Sequence, residues 1–418
     1  MLKLRTSAFL TLLGGVIQKI IPFGVSIVIA KFVGQDYFAE FSFALNTANT
    51  IAAVCAMGMN PSILIALSEV KMRSVGTRKQ TLRGLLFVTF FITLAVIVVS
   101  LIVKGASPHA TINSVAYGAI VILAPALVLM QATYAMSQGL GRYVFSMMQS
   151  LSLFFLVLVA VIGVIKFGSK DTIHIAYAWS YFFVGLVVFA LLFGFSQKIT
   201  GGEIDSPSPK ILALLLQQLP FAGYTAVWMV AIYLCNFEVA RNYTSLDLAI
   251  YNAGFQWYTI LLLVPSLLGG VLIPYFFNSG SGRSVYAEVR TITGLYVVLG
   301  IPLIACLIYL TPTILKLYSI EPSDNAVNVF RVMALSGGVA IMIMPALQFY
   351  LASKRFKVLY AVSGVWAIIA LSGALLFAKT TLDIAFFFFS AYVGVALLVA
   401  FDFFVSIKWR DTTNGKIY

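Results

Sequence analysis

Long runs of apolar residues interrupted by short polar stretches divide the chain into twelve segments, at approximately 8–33, 38–67, 84–103, 112–138, 144–165, 173–195, 211–235, 247–277, 292–315, 327–351, 358–378 and 384–406. A helix needs roughly 20 apolar residues to cross a hydrocarbon core about 30 Å thick, and these segments have that length. The runs Leu85 to Val103 and Leu151 to Ile165 are continuous rather than alternating at every second residue, so they predict helices and not barrel strands. The first segment follows Lys3 and Arg5 much as a secretory leader would. Its length of about 26 residues exceeds the roughly 7 to 15 of a leader's apolar region, and it is expected to remain as the first helix.

Sliding the second half of the chain over the first brings similar residues together in order. Gln18-Lys19-Ile20-Ile21-Pro22-Phe23 meets Gln217-Gln218-Leu219-Pro220-Phe221, Ala39-Glu40-Phe41-Ser42 meets Ala249-Ile250-Tyr251-Asn252, and Pro125-Ala126-Leu127 meets Pro345-Ala346-Leu347. The pattern predicts two pseudo-symmetric six-helix lobes, residues 1–200 and 211–418, joined by a linker at 201–210 rich in Gly, Ser and Pro. Each lobe holds an even number of spans, so both enter from the same side, and the substrate path is expected where the lobes face each other.

Composition agrees with this membrane reading. Hydrophobic residues make up 61% of the 418 and charged residues only 10%, against about 25% charged in a soluble domain. The net charge of +13 would suggest nucleic acid in a soluble protein, but here its distribution gives a better account. With the N-terminus in the cytoplasm, 18 of the 27 basic residues fall in cytoplasmic segments and six on the opposite side. That split obeys the positive-inside rule and predicts two cytoplasmic termini, with membrane lipids rather than nucleic acid as the partner of the surface charge. Cys55, Cys235 and Cys306 lie far apart in apolar segments and are expected to pack as small apolar residues.

Polar residues inside the spans are then the candidates for function, because a charge at the centre of a membrane helix costs at least about 2.5 to 3.5 kcal/mol. Lys19 is about 17 Å along the first segment, near mid-depth, and is the strongest of them. Lys31, Glu40 and Asp402 lie near span ends, where they can reach the interface or pair locally, and Arg331 is about a turn inside the tenth segment. Ser42, Asn46 and Asn49 recur at helical spacing on the second segment. The repeat carries this stripe to Asn252, Gln256 and Thr259 on the eighth. Such stripes fit either a shared aqueous cavity or interhelical hydrogen bonds. Gln217 and Gln218 precede Pro220 as Gln18 and Lys19 precede Pro22, and a proline inside a span permits bending. No catalytic, metal-binding or cofactor-binding motif occurs: His109 and His174 fall at the outer side, outside any HExxH, GxSxG or P-loop pattern.

The stretch Ala30-Lys31-Phe32-Val33-Gly34-Gln35-Asp36-Tyr37-Phe38-Ala39, echoed at Leu246-Asp247-Leu248-Ala249-Ile250-Tyr251-Asn252, resembles the pattern of the Wzx-type flippases of lipid-linked O-antigen units. These form the polysaccharide branch of the multidrug/oligosaccharidyl-lipid/polysaccharide exporter superfamily, and the resemblance covers the whole chain in length, span number and loop size. Ala39 stands where that family usually has Gly, and Asn236-Phe237-Glu238 replaces a frequent acidic-basic pair.

The resemblance implies an all-α membrane protein with a V-shaped pair of lobes around a cationic central cavity, in a bacterial inner membrane. It implies a flippase, not an enzyme, moving undecaprenyl-diphosphate-linked oligosaccharide to the periplasmic leaflet by alternating access. An O-antigen polymerase and a chain-length regulator would be its partners in lipopolysaccharide biosynthesis. The expected substrate-binding residues are Lys19, Lys31, Ser42, Asn46, Asn49, Gln217, Gln218, Asn252, Gln256 and Arg331. A small-molecule or drug exporter of the same superfamily is the alternative.

Overall fold

The computed structural model describes residues 2–56, 59, 63, 66–67, 75–106, 114–198, 211–263, 265–266, 268–269, 272–273, 276 and 283–414. Twelve long helices order these residues: α1 (Leu2–Phe32), α2 (Gln35–Ala56), α3 (Val75–Ala106), α4 (Ser114–Gly139), α5 (Tyr143–Phe167), α6 (Ile173–Lys198), α7 (Ile211–Asn242), α8 (Ser245–Leu261), α9 (Arg283–Leu317), α10 (Asp324–Ala352), α11 (Phe356–Ser372) and α12 (Thr381–Asn414). No strand occurs among the described residues. Backbone groups have no water to bond within hydrocarbon, and a helix satisfies them internally. The linker at 201–210 and His109 lie outside the described residues.

Among the described residues, ten helices are long and apolar enough to cross a membrane; α2 and α8, which border residues outside that set, are not among them. α8 has 17 residues. α2 carries Asp36, Glu40, Asn46 and Asn49 in 22 residues. Several helices also run past their apolar segments. α3 begins at Val75, ahead of the apolar start near 84, because Thr77 to Arg83 continue the helix as polar residues beyond the hydrocarbon.

The chain forms two compact units, Met1–Tyr233 and Leu234–Tyr418. In the first, α4 is the central helix: 72% of its apolar window is buried, and it packs against α2, α3, α5 and α6. In the second, α10 is 78% buried and packs against α8, α9, α11 and α12. The other eight candidate spans bury only 22–44% of theirs. The packing partners of α10 are those of α4 shifted by six helices, so the repeat read from the sequence is also a repeat of architecture. Pro125 and Pro345 lie inside these two central helices.

Tight turns keep neighbouring helices antiparallel. Gly34 closes α1 at φ 136, a region that side chains disfavour, while its N–H donates to the Ile29 carbonyl at 3.0 Å. Gly141 at φ 74 does the same after α4. There the Arg142 N–H donates to the Ser137 carbonyl and the Gly141 N–H to that of Gln138, both at 2.8 Å, so the last carbonyls of the helix are satisfied. Thr244 and Asp247 cap the start of α8 reciprocally. α11 ends in a π-helical turn, Gly373–Phe377. This wider turn sits where Gly373 is pressed against the Phe387 ring of α12.

Candidate functional site

On α1, Lys19 is exposed on the first unit and has no ion pair or hydrogen bond among the described residues. Pro22 lies one turn further on and cannot donate to the Gln18 carbonyl, and its own carbonyl accepts from the Ser26 hydroxyl at 2.8 Å. The side-chain nitrogen of Gln18 is buried without a hydrogen-bond partner among the described residues. Thus the segment Gln18 to Pro22 presents one cation and two under-satisfied polar groups within a single turn. Lys31 is exposed in the last turn of α1, with its ammonium 6.0 Å from the Phe32 ring centroid.

The stripe on α2 changes character along its length. Ser42 is buried, Asn46 is half-buried and its carbonyl accepts from Thr50 at 2.9 Å, and Asn49 is exposed. Helical geometry puts the three side chains on one face, and that face emerges from the core toward the C-terminal end of the helix.

In the second unit the matching residues follow the same gradient, from the buried Asn252 through Gln256 to the exposed Thr259. Asn252 is fully buried and accepts from the Asn236 amide of α7 at 3.0 Å. Gln256 is half-buried, and its carbonyl oxygen accepts from the Tyr318 hydroxyl at 3.0 Å. Trp257 packs beside them with its ring 6.4 Å from Phe330, and the adjacent Arg331 is half-buried with its Nε buried and free of hydrogen bonds among the described residues. The side chains of Gln217 and Gln218 lie outside the described residues.

Asn236, Trp257 and Tyr318 were not expected as members of the polar groups. Tyr318, just past the end of α9, reaches Gln256 from 62 residues away in sequence. Trp257 had a weak signal, an indole next to a glutamine on the polar side of an otherwise apolar helix.

Among the described residues, a close histidine–carboxylate contact and an ion pair sit toward helix ends. His174 Nε2 lies 3.6 Å from Glu40 Oε2, with the imidazole stacked on Phe41 at 6.1 Å. Asp402 accepts from both guanidinium nitrogens of Arg355 at 2.9 Å and from the Tyr350 hydroxyl at 2.8 Å. This bidentate geometry resolves the local pairing that was one expectation for Asp402, and it ties the turn between α10 and α11 to α12. No group of three or more metal-ligating side chains occurs among the described residues.

The chain shares its fold with transporters of the MOP superfamily. A structure of the lipid II flippase MurJ in an inward closed conformation aligns over 94% of this chain and 87% of its own, at 14% identity and a TM-score of 0.71. An inward-facing multidrug resistance MATE transporter aligns over 97% and 100%, at 12% identity and a TM-score of 0.69. A MOP superfamily transporter from Pyrococcus furiosus, whose binding pocket is described as reversed in polarity, aligns over 96% and 94%, at 12% identity and a TM-score of 0.63. No curated protein matches the chain by sequence. A family model described as polysaccharide biosynthesis protein matches residues 4–279, well over half of the chain. This multi-pass membrane protein therefore belongs to the polysaccharide biosynthesis protein family.

Proposed function

We propose that the protein is a flippase carrying undecaprenyl-diphosphate-linked O-antigen, or a related polysaccharide repeat unit, from the cytoplasmic to the periplasmic leaflet of the bacterial inner membrane. The observation that carries the reading is the combination of family membership with Lys19, an unpaired ammonium midway along a membrane helix. A diphosphate is the chemistry that offsets such a cation, since charge-assisted bonds to phosphate oxygens replace the hydration it has lost. Lys31 and Arg331 would meet the same charged group at other stages of transport. Ser42, Asn46, Asn49, Gln217, Gln218 and Gln256 offer amides and hydroxyls suited to sugar hydroxyls. Asn252 enters as a positioning residue, because it is already bonded to Asn236. Transport rather than covalent chemistry is the proposed activity, and both termini are taken as cytoplasmic from the basic-residue split. The six-helix lobes are taken as residues 1–200 and 211–418, joined by a linker at 201–210.

Surface polysaccharide in a strain lacking its own flippase measures this activity. Wild-type protein should restore it, Lys19→Ala should abolish it at normal membrane expression, and Lys19→Arg should retain part. Full restoration by Lys19→Ala would remove the role given to that residue. Asn46→Asp and Gln256→Glu should impair transport while leaving membrane insertion intact.

Export of small amphiphilic compounds is the second reading, supported by the likeness to multidrug MATE structures. Increased resistance to such compounds on expression, without any rescue of surface polysaccharide, would favour it.

A further inference from the structure

Apart from the polar positions assigned above, a cluster of cations gathers at one end of the first unit, where α3 and α5 begin and α4 and α6 finish. Arg78 and Lys79 stand in the first turns of α3, Arg142 in the turn between α4 and α5, and Phe195 in the last turn of α6. Between Glu69 and Glu203 the only carboxylate in the sequence is Asp171, and it lies at the opposite end, just before α6. Among the described residues, α3 to α6 therefore supply no counter-charge to these arginines.

Arg142 is held by backbone and side chain alike. Its N–H is fixed to Ser137, and its carbonyl accepts from the N–H groups of Phe145 and Ser146 as α5 starts. Its guanidinium lies flat on Phe195, with Cζ 3.5 Å from the ring centroid. Stacking of this kind leaves the five edge N–H donors pointing outward in a fixed plane. No acceptor meets them among the described residues. Partial burial, and then the neighbouring Arg78, hold the Arg142 guanidinium below its usual value. The surroundings thus disfavour its charge, and a bound anion would relieve that.

The ground beside Arg142 is apolar. Val144 and Met148, one turn apart on α5, are 59% and 54% exposed, and Leu191 on α6 is 55% exposed. A free inorganic anion has no use for such a strip, whereas an acyl chain would cover it.

We propose that Arg142, stacked on Phe195, and Arg78 form a clamp for the phosphate of an anionic lipid headgroup, with the acyl chain lying along the exposed face of α5. The site is separate from the residues given to the transported substrate, and it stands whether or not the flippase reading does.

The test uses the full-length protein in detergent, with retention of added phosphatidylglycerol or phosphatidylcholine followed by native mass spectrometry. Wild type should hold phosphatidylglycerol in preference to phosphatidylcholine. Arg142→Ala and Arg78→Ala should each weaken that retention about tenfold, the equivalent of one charge-assisted hydrogen bond. Arg142→Lys should weaken it in part, because an ammonium keeps the charge and loses the planar fork. Arg83→Ala, an exposed cation on the same helix, should leave it unchanged. Undiminished retention in Arg142→Ala overturns the clamp, and an equal loss in Arg83→Ala overturns it in favour of diffuse attraction. Displacement of the lipid by millimolar inorganic phosphate would overturn the lipid as occupant and leave a free-phosphate site. Because Arg142 is exposed, its replacement removes no core packing, and an unchanged elution volume checks that each variant is folded.

Discussion

Placing a lysine midway along a membrane helix costs several kcal/mol, and a fold recovers that cost only by giving the ammonium an anionic partner or a route to water. Lys19 has no such protein partner among the described residues, whereas Asp402 has Arg355 and Tyr350. This difference separates a charge held ready for a ligand from a charge used to tie helices together. Asn252 belongs to the second kind. Its bond to Asn236 joins α7 to α8, and membrane hydrogen bonds of this sort contribute about 0.6 kcal/mol on average and up to about 1.7. Asn252→Leu should therefore lower the melting temperature slightly and leave the protein in the membrane. An aggregated variant, or one as stable as wild type but inactive, would contradict a positioning role. The sequence marked Lys19 by depth alone, and depth is legible from hydropathy. Which amides bond to one another was not legible, because Asn236 and Asn252 belong to different helices and only the packing of those helices brings them together.

At the scale of elements, ten of the helices were legible because a span must satisfy its own backbone bonds across the hydrocarbon, and this imposes a long apolar run. Their ends were less so. Polar first turns such as Thr77 to Arg83 continue a helix by backbone propensity, which hydropathy does not register. The π turn after α11 gave no signal either, since it depends on a side chain of the next helix. A Cβ built on Gly373 would fall 1.9 Å from Phe387 Cγ and 2.4 Å from its Cβ, an atom that rotation of the ring does not move. Gly373→Ala should destabilise the protein by about 1 to 3 kcal/mol or more through overpacking. An unchanged melting temperature in detergent would show that the contact between α11 and α12 is looser than the structure has it.

Over the whole molecule, a central, proline-containing helix packed by four others occurs once in each unit. The outer helices leave large apolar residues exposed, among them Phe87, Phe155, Leu299 and Phe401. In a soluble protein such surfaces would aggregate, and here they are the surface expected to meet lipid. The family is that of polysaccharide biosynthesis proteins, and the fold is shared with structures of a lipid flippase and of a multidrug transporter. The proposed function gives its cations without protein partners among the described residues a phosphate to meet. The most direct test reconstitutes the purified protein into vesicles containing fluorescent undecaprenyl-diphosphate-linked oligosaccharide and measures how fast the labelled headgroup crosses to the other leaflet. The account predicts protein-dependent crossing that is lost in Lys19→Ala. Crossing no faster than in protein-free vesicles, from a preparation shown to be folded, would contradict it.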